Sequence, residues 1–199
     1  MSPQPRRVAP AAPAPAPAHI ELTGGDLRLR PPRIEEADLY AAWWADPEVQ
    51  WGFCSEARTA DDIRAAFPEM EAEARDIGHW IEFVLEESGR PVGYLWLSRW
   101  DLDAAECEMN ILLGSAADRS RGLARRAIRL LAAWAFPVMG LKRILLVPRD
   151  DHLPAIRCYR AAGAVLGEIR PEVVTWRGET VCFRELILLP DRLAPPPAS

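Results

Sequence analysis

The chain lacks the cysteine spacing that a zinc site or a disulfide framework requires. Its four cysteines lie far apart, form no C-x-x-C pair and are accompanied by only three histidines. Structural zinc sites need closely spaced ligand pairs, and small secreted scaffolds need a high density of cysteine. We therefore expect no metal, and reduced thiols in a cytoplasmic protein. The cysteines are Cys54, Cys107, Cys158 and Cys182.

Long apolar runs and net positive charge are also missing. No run approaches the ~20 apolar residues that a membrane-spanning helix needs, so we expect no membrane partner. The formal net charge of −5 argues against a nucleic-acid partner, because binding to a phosphate backbone normally needs a basic face. The pair Arg6-Arg7 is followed by a Pro/Ala tract rather than an apolar segment, which argues against an export signal.

The hydrophobic content of the chain and its two proline-rich ends predict one folded domain between two tails. The chain has 199 residues, of which 49% are hydrophobic, enough for a sizeable single core. Residues 1–26 contain the Pro/Ala tract, and residues 191–199 end in a second proline-rich segment. Such segments bury little apolar surface. We expect both tails to be disordered and residues 27–190 to fold.

The order of apolar patterns predicts a mixed α/β (α+β) fold. Three successive strand patterns end at Glu106 to Leu113 and suggest an antiparallel meander. An amphipathic helix from Leu123 follows, with Pro137 expected to end it, and then an apolar strand at 143–147. We expect a mostly antiparallel sheet of about seven strands, with a central parallel strand-helix-strand unit.

The turn that leads into this helix is typical of an anion site. Arg119, Arg121 and Gly122 precede the helix, and Arg125 lies in its first turn. The unpaired amides of a helix N-terminus carry partial positive charge, and glycine permits close approach. A local arginine cluster in an acidic protein favours a small anionic ligand, although for Arg126 and Arg129 a solvated helix face is the simpler interpretation.

Two motifs in the right order resemble those of one enzyme superfamily. Arg119-x-x-Gly122-x-Ala124 is similar to the acetyl-CoA loop of the GNAT superfamily of N-acetyltransferases. His152-x-x-Ala155-Ile156-x-x-Tyr159-x-x-x-Gly163 resembles its N-x-x-A-I-x-x-Y-x-x-x-G-F segment, with histidine in place of asparagine and Ala164 in place of phenylalanine. The segments at 27–32 and 46–49 resemble the branch that includes the RimJ and RimL ribosomal-protein acetyltransferases.

The resemblance implies a GNAT-like fold with helices on both faces of the sheet and acetyl-CoA as co-substrate. The pyrophosphate would be bound mostly by backbone amides of the Arg119 loop. The strand before the loop would hold the thioester end and supply oxyanion donors near Leu112 or Leu113. The implied cofactor-binding residues are Ile111, Leu112, Leu113, Arg119, Ser120, Arg121, Gly122, Leu123, Ala124, Arg125, His152, Ala155 and Tyr159.

Acetyl transfer to an amine requires a proton acceptor and benefits from a proton donor. An alkylammonium has a pKa of ~10.4, so a base or a water must lie close by. Glu108 is the candidate, with Glu106 at the same side-chain parity; both could instead be surface acids. The resemblance implies that Tyr159 is the general acid, the alternative being a buried tyrosine bonded to the backbone. We expect direct transfer without an acyl-cysteine.

The acceptor is less constrained than the cofactor. Four large rings, at Trp43, Trp44, Trp51 and Phe53, could be core or could line a cleft, and we select Trp51 with Glu106 for the acceptor side. The acidic balance favours a small amine, aminoglycoside-like or biosynthetic. The RimJ/RimL resemblance suggests a protein N-terminus or lysine instead. Two other functions also stay open: a catalytically silent acyl-CoA-binding module and a plain phosphate-binding domain. The oligomeric state, monomer or homodimer, is open as well.

Overall fold

Eight strands form one sheet in the computed structural model, which describes residues 20–73 and 80–193. Neighbouring strands follow the order β1-β2-β3-β4-β5-β6-β8-β7. The strands are β1 (Leu22–Gly24), β2 (Leu27–Arg30), β3 (Ile81–Glu87), β4 (Arg90–Asp101), β5 (Glu106–Leu113), β6 (Arg143–Leu146), β7 (Val165–Trp176) and β8 (Glu179–Leu188).

The predicted fold class is confirmed. Every neighbouring pair of strands in the described part of the chain is antiparallel except β5 and β6, which pair in parallel. A helix connects these two strands, as the sequence pattern predicted. The strand count differs by one from the expected seven, because β1 is an additional strand.

β1 lies inside the segment that was predicted to be a disordered tail. It pairs antiparallel with β2 across a turn at Gly25 and Asp26, and the partly buried side chain of Leu22 packs against the core. Backbone pairing and one apolar contact are enough to order three residues that carry no clear strand pattern. The folded part therefore begins before residue 27. The predicted C-terminal tail also begins too early, because a 3-10 helix covers Pro190–Arg192 and Leu193 packs partly buried against the core. Residues 1–19 and 194–199, the rest of the predicted tails, lie outside the described residues.

The helices cover both faces of the sheet. They are α1 (Ala37–Trp44), α2 (Pro47–Phe53), α3 (Ala60–Glu73), α4 (Leu123–Met139) and α5 (Leu153–Ala162). One buried cluster joins Tyr40, Trp43 and Val49 to Tyr94 and Trp96 of β4. A larger cluster packs the apolar stripe of α4 against the opposite side chains of the strands.

Pro137 does not end α4 as expected. The helix continues to Met139 and ends at Gly140, which has a φ of +65°. Proline lacks the amide proton for one intrahelical hydrogen bond, but the residues after it still keep the helical conformation as far as Met139. Glycine adopts the left-handed conformation without a steric penalty and ends the helix there.

The parallel pair supplies the opening for the site. β5 and β6 are paired only from Glu106 with Arg143 to Glu108 with Leu145, whereas β5 continues to Leu113. Residues 109–113 remain paired with β4 on their other side. The two strands therefore separate beyond Glu108, and one backbone edge of β5 is left facing a gap.

Candidate active site

A cleft of about 1550 Å³ lies where β5 and β6 separate. Two groups of residues line it. We call the first the cofactor half: Ile111, Leu112, Leu113, Arg119, Ser120, Arg121, Gly122, Leu123, Ala124, Arg125, His152, Ala155 and Tyr159. We call the second the acceptor half: Phe53, Trp80, Trp96, Arg99, Glu108 and Arg170. The structure thus brings all of the residues predicted for the cofactor to one cleft.

The turn before α4 presents unpaired backbone amides. Gly122 has a φ of +80°, a conformation that strongly favours glycine, and no side chain caps the helix that begins at Leu123. A Cβ atom added to Gly122 would meet nothing within 4 Å, so the approach to the helix end is open. The first amides of α4 have no partner within the helix. This geometry fits an anionic phosphate group.

The arginine side chains of this turn are already engaged. Arg119 pairs with Asp46 at 2.5 Å and also with Glu48, whereas Arg121 pairs with Glu87 at 2.8 Å and with Asp118 at 3.1 Å. Such pairs hold the shape of the turn. The backbone amides of the turn remain available as anion donors.

β5 contributes backbone to the same cleft. Ile111 and Leu112 point to opposite faces of the sheet, since Ile111 belongs to the α4 cluster and Leu112 to the α1 cluster. Within the described part of the chain, the peptide edge between them has no strand partner on the β6 side. Amides and carbonyls along an open edge can pair with an extended ligand that carries peptide-like groups. The edge is therefore suited to a pantetheine arm.

His152 directly precedes α5 and carries an orphan polar atom. Its Nδ1 is buried without a hydrogen-bond partner in the described part of the chain, and its ring contacts Trp51 with centroids 5.0 Å apart. Burial lowers the pKa of His152 below its usual value, so the imidazole is neutral near pH 7. A buried polar atom without a partner is costly and here lies beside the cleft.

Tyr159 lies on α5 and reaches the cleft from the cofactor half. Its hydroxyl makes no hydrogen bond within residues 20–73 and 80–193, and the ring packs partly buried against the larger core cluster. Burial raises the pKa of Tyr159 well above its usual value. The phenol is therefore protonated at neutral pH and is suited to donate a hydrogen bond.

Glu108 reaches the cleft from the opposite side. It is 8% exposed, and its Oε1 lies 2.7 Å from Nη2 of Arg170. Its Oε2 lies 3.6 Å from Nε of Arg99. Arg170 also donates from Nε to Glu185 at 3.0 Å. The Glu108 carboxylate is thus oriented by cations and remains accessible from the cleft.

The structure does not bring Trp51 or Glu106 to the cleft. One face of Trp51 is covered by the Arg149 guanidinium, 4.2 Å from the ring centroid, so that face cannot receive an amine. Glu106 starts β5, two residues before the strands separate, and pairs with Arg143 of β6. Of the four rings considered from the sequence, Phe53 alone lines the cleft.

The aromatic wall of the acceptor half was largely missed. Trp80 stacks on Trp96 with ring centroids 6.1 Å apart and an interplanar angle of 12°, and Phe53 lies 5.3 Å from Trp96. Trp80 is 44% exposed, so part of its ring remains open. These rings come from three separate elements, and no spacing in the sequence links them.

The described residues contain neither a metal-binding cluster nor a membrane-spanning helix. Among residues 20–73 and 80–193, no group of three or more His, Cys, Asp or Glu side chains could hold a metal ion. None of the helices there is long and apolar enough to cross a membrane.

Several solved acetyltransferases have a similar structure at low sequence identity. Spermidine N-acetyltransferase from Vibrio cholerae, in complex with CoA and spermine, has a TM-score of 0.74 and 16% identity, over 85% of this chain and 99% of that chain. Ribosomal-protein-S5-alanine acetyltransferase from Vibrio fischeri has a TM-score of 0.73 and 14% identity, over 88% and 100%. RimL, the ribosomal L7/L12 alpha-N-protein acetyltransferase, in complex with CoA, has a TM-score of 0.75 and 10% identity, over 87% and 99%.

Sequence comparison gives the family directly. The curated protein sequences provide no match to this chain. A family model described as an acetyltransferase (GNAT) domain matches residues 26–165, most of the chain. The match covers the loop at Gly122 and the α5 segment with Tyr159, the two motifs that carried the resemblance. The chain therefore belongs to the GNAT acetyltransferase family and is an N-acetyltransferase.

Proposed function

We propose that this enzyme moves the acetyl group of acetyl-CoA directly to the primary amine of a small molecule. The observation that carries the proposal is that Glu108 and Tyr159 line one cleft, at the place where β5 and β6 separate. A carboxylate on the acceptor side and a protonated phenol on the cofactor side are the two groups that amine acetylation needs.

The residues of the cofactor half fit acetyl-CoA, which supplies the acyl group as a thioester. Free amides at the start of α4 suit the pyrophosphate, and the open edge of β5 suits the pantetheine arm. The orphan Nδ1 of His152 offers one more polar contact on the same side of the cleft. His152 would thus fill the place of the asparagine in the family motif.

The chain's own groups support direct transfer. Glu108 would accept a hydrogen bond from the incoming ammonium and orient it, and either the carboxylate or a water beside it would take up the proton to give the neutral amine. A nitrogen–carbon bond then forms while the carbon–sulfur bond breaks. Tyr159 would donate a hydrogen bond to the departing sulfur, which takes up a proton and leaves as the free thiol of CoA. Burial raises the pKa of the Cys54 and Cys158 thiols, so neither is an activated nucleophile.

The charge of the cleft changes the expected acceptor. Among the described residues, six arginines and four glutamates line it, although the chain as a whole carries −5. This described lining has no excess of negative charge to attract a polycation such as an aminoglycoside. An amine with a flat apolar part, able to pack on Trp80 and Trp96, fits the acceptor half better.

Thiol release from acetyl-CoA tests the proposal. The purified protein is assayed with free amino acids, aromatic amines, aminoglycosides, polyamines and N-terminal peptides, beside the Tyr159→Phe variant. We expect release with a small amine, and about 10²-fold less in Tyr159→Phe, with acetyl-CoA affinity preserved. Release with N-terminal peptides alone would replace the small-molecule acceptor by a protein. Failure to bind acetyl-CoA would overturn the assignment of the cofactor half.

We also propose that the reaction takes place in the cytoplasm. All four cysteines are free thiols, including the exposed Cys182. Cysteine thiols stay reduced in the cytoplasm, whereas oxidising compartments convert exposed thiols to disulfides.

A further inference from the structure

Arg99, Glu108 and Arg170 of the acceptor half form a set of two acids and two bases together with Glu185, which also lines the cleft. Arg170 lies between Glu108, at 2.7 Å, and Glu185, at 3.0 Å, and Arg99 lies 3.6 Å from Glu108. Two carboxylates and two guanidinium groups give no net charge. Such a set favours a ligand that itself carries one group of each sign over a polyamine, which carries only positive charge.

Arg99 is turned toward this set by an irregularity of β4. Successive side chains of a strand point to opposite faces, so Arg99 would normally lie on the face opposite to Ser98. The β4–β5 register shifts between Ser98 and Asp101, and Arg99 has a φ of +50°, which is uncommon for a residue with a side chain. The bulge brings Arg99 to Glu108, the cross-strand partner of Ser98. Unfavourable backbone at a cleft is typical of a functional position.

The donors of Arg99 remain open. Its side chain is 73% exposed, and the 3.6 Å separation from Glu108 is longer than a hydrogen bond. It donates no hydrogen bond to the residues that the structure describes. Arg170, by contrast, is largely buried and already engaged with two carboxylates. Arg99 is therefore the guanidinium of this set that can receive a further carboxylate in the two-pronged geometry that arginine favours.

The aromatic wall lies directly beside the charged set. Trp96 of β4 is paired across the strands with Asn110, and Ser98 with Glu108, so Trp96 and Glu108 are diagonal neighbours on one face of the sheet. Trp80 extends this wall toward solvent with its exposed ring. An acid, a guanidinium with unused hydrogen-bond donors and an apolar wall thus lie side by side in the cleft.

We propose that the acceptor is a free α-amino acid with an aromatic or large apolar side chain. Its amine would face Glu108, its carboxylate would bind Arg99, and its side chain would pack on Trp80, Trp96 and Phe53. An amine and a carboxylate on one carbon require an acid and a base side by side, which is the arrangement of Glu108 and Arg99. This inference rests on the proposed function and adds the class of substrate to it.

The decisive experiment compares substrates that differ by the carboxylate alone. L-Tryptophan and tryptamine are acetylated by the wild type and by Arg99→Gln, with kcat/KM as the readout. In the wild type we expect tryptophan to be preferred by at least about tenfold, because tryptamine lacks the carboxylate that would form the two-pronged, charge-assisted pair with Arg99. In Arg99→Gln the preference should fall to near unity, and Arg99→Lys should restore part of it.

Two controls make the result specific. Arg64→Gln removes an exposed arginine that pairs with Asp38 and Asp61 on the helical layer and does not line the cleft, so the tryptophan preference should persist. L-Alanine tests whether the aromatic wall contributes to binding, because its methyl side chain is too small to pack on those rings. We expect a kcat/KM for alanine at least about tenfold below that for tryptophan. Acetyl-CoA affinity of each variant reports folding of the cofactor half.

Several outcomes would overturn the inference while leaving the proposed function intact. Equal use of tryptophan and tryptamine by the wild type is one, and a preference that survives Arg99→Gln is another. Acetylation of tryptamine without tryptophan is a third. By contrast, a protein that binds acetyl-CoA yet acetylates no small amine contradicts the proposed function itself.

Discussion

The two halves of the cleft are assembled in different ways. The cofactor half comes from two short stretches, 111–125 and 152–159, in which neighbours in sequence are neighbours at the site. The acceptor half takes Phe53 from α2, Trp80 from before β3, Trp96 and Arg99 from β4, and Arg170 from β7. Glu108 lies on β5, the strand that also carries Ile111, Leu112 and Leu113 of the cofactor half. A local half and a dispersed half can therefore be changed separately, and the variants below test that separation.

The largest effect should come from Glu108→Gln. The amide keeps the shape of the side chain but removes the negative charge that orients the amine, so kcat should fall by about 10²-fold or more. The dissociation constant of acetyl-CoA should change by less than about threefold, because sites without shared partners act independently. Steady-state kinetics and calorimetry measure the two quantities.

Glu106→Gln is the matched control for this variant. It removes a carboxylate from the same strand and the same side-chain parity, but from a position that pairs with Arg143 outside the cleft. We expect nearly wild-type kcat. Similar losses of kcat in both variants would mean that catalysis depends on the total negative charge of β5 and not on the position of Glu108.

A smaller effect, on stability, should follow from Asp118→Asn, directly before the turn at 119–122 that leads into α4. Asp118 is buried and accepts hydrogen bonds from Arg90 at 2.6 and 3.0 Å, and its side chain also pairs with Arg121. The Arg90 hydrogen bonds hold the pKa of Asp118 below its usual value. Removing the charge should lower the free energy of unfolding by about 2 kcal/mol at pH 7.

The pH dependence of that loss has a definite sign. A carboxyl whose pKa is lowered on folding stabilises the protein above its unfolded pKa, and the contribution fades as pH falls through the folded pKa. Urea unfolding should thus separate wild type from Asp118→Asn at pH 7 and bring them together in acid. Asp26→Asn, which removes an exposed partner of Arg126, should have a much smaller effect. A gap that persists in acid would contradict this account.

The smallest effect should come from Gly122→Ala. A side chain at a φ of +80° strains the turn and shifts the amides that follow it, so we expect about tenfold weaker acetyl-CoA binding. Gly140→Ala is the matched control, because Gly140 also has a positive φ and open space around it but lies at the other end of α4. Both variants should be less stable; only Gly122→Ala should bind the cofactor more weakly.

The contrast between the halves also explains where sequence-based inference succeeded. The Gly122 turn could be predicted because a strand, a glycine and an amphipathic helix determine one another over about ten residues through backbone geometry. The parallel strand-helix-strand unit followed from the same periodicity. The end of α4 was predicted wrongly at Pro137, because the loss of one hydrogen bond at proline does not stop the helix, which ends at Gly140.

The acceptor half resisted prediction for a physical reason. Trp51 was selected because it lies in a dense run of rings, but Arg149 covers it, from 98 residues away along the chain. Arg99 gave no signal, since its direction depends on a bulge in the pairing of two strands. Trp80 meets Trp96 only after β3 and β4 pair.

The amino-acid sequence by itself determined the fold class, the family and the half of the cleft that suits acetyl-CoA, because those features rest on local periodicity and on backbone groups that two short motifs position. Only the tertiary structure decided which rings and charges stand around the acceptor. That choice depends on strand register, on a bulge and on ion pairs between distant elements such as Arg170 and Glu108, and none of these is encoded in any single stretch of the chain.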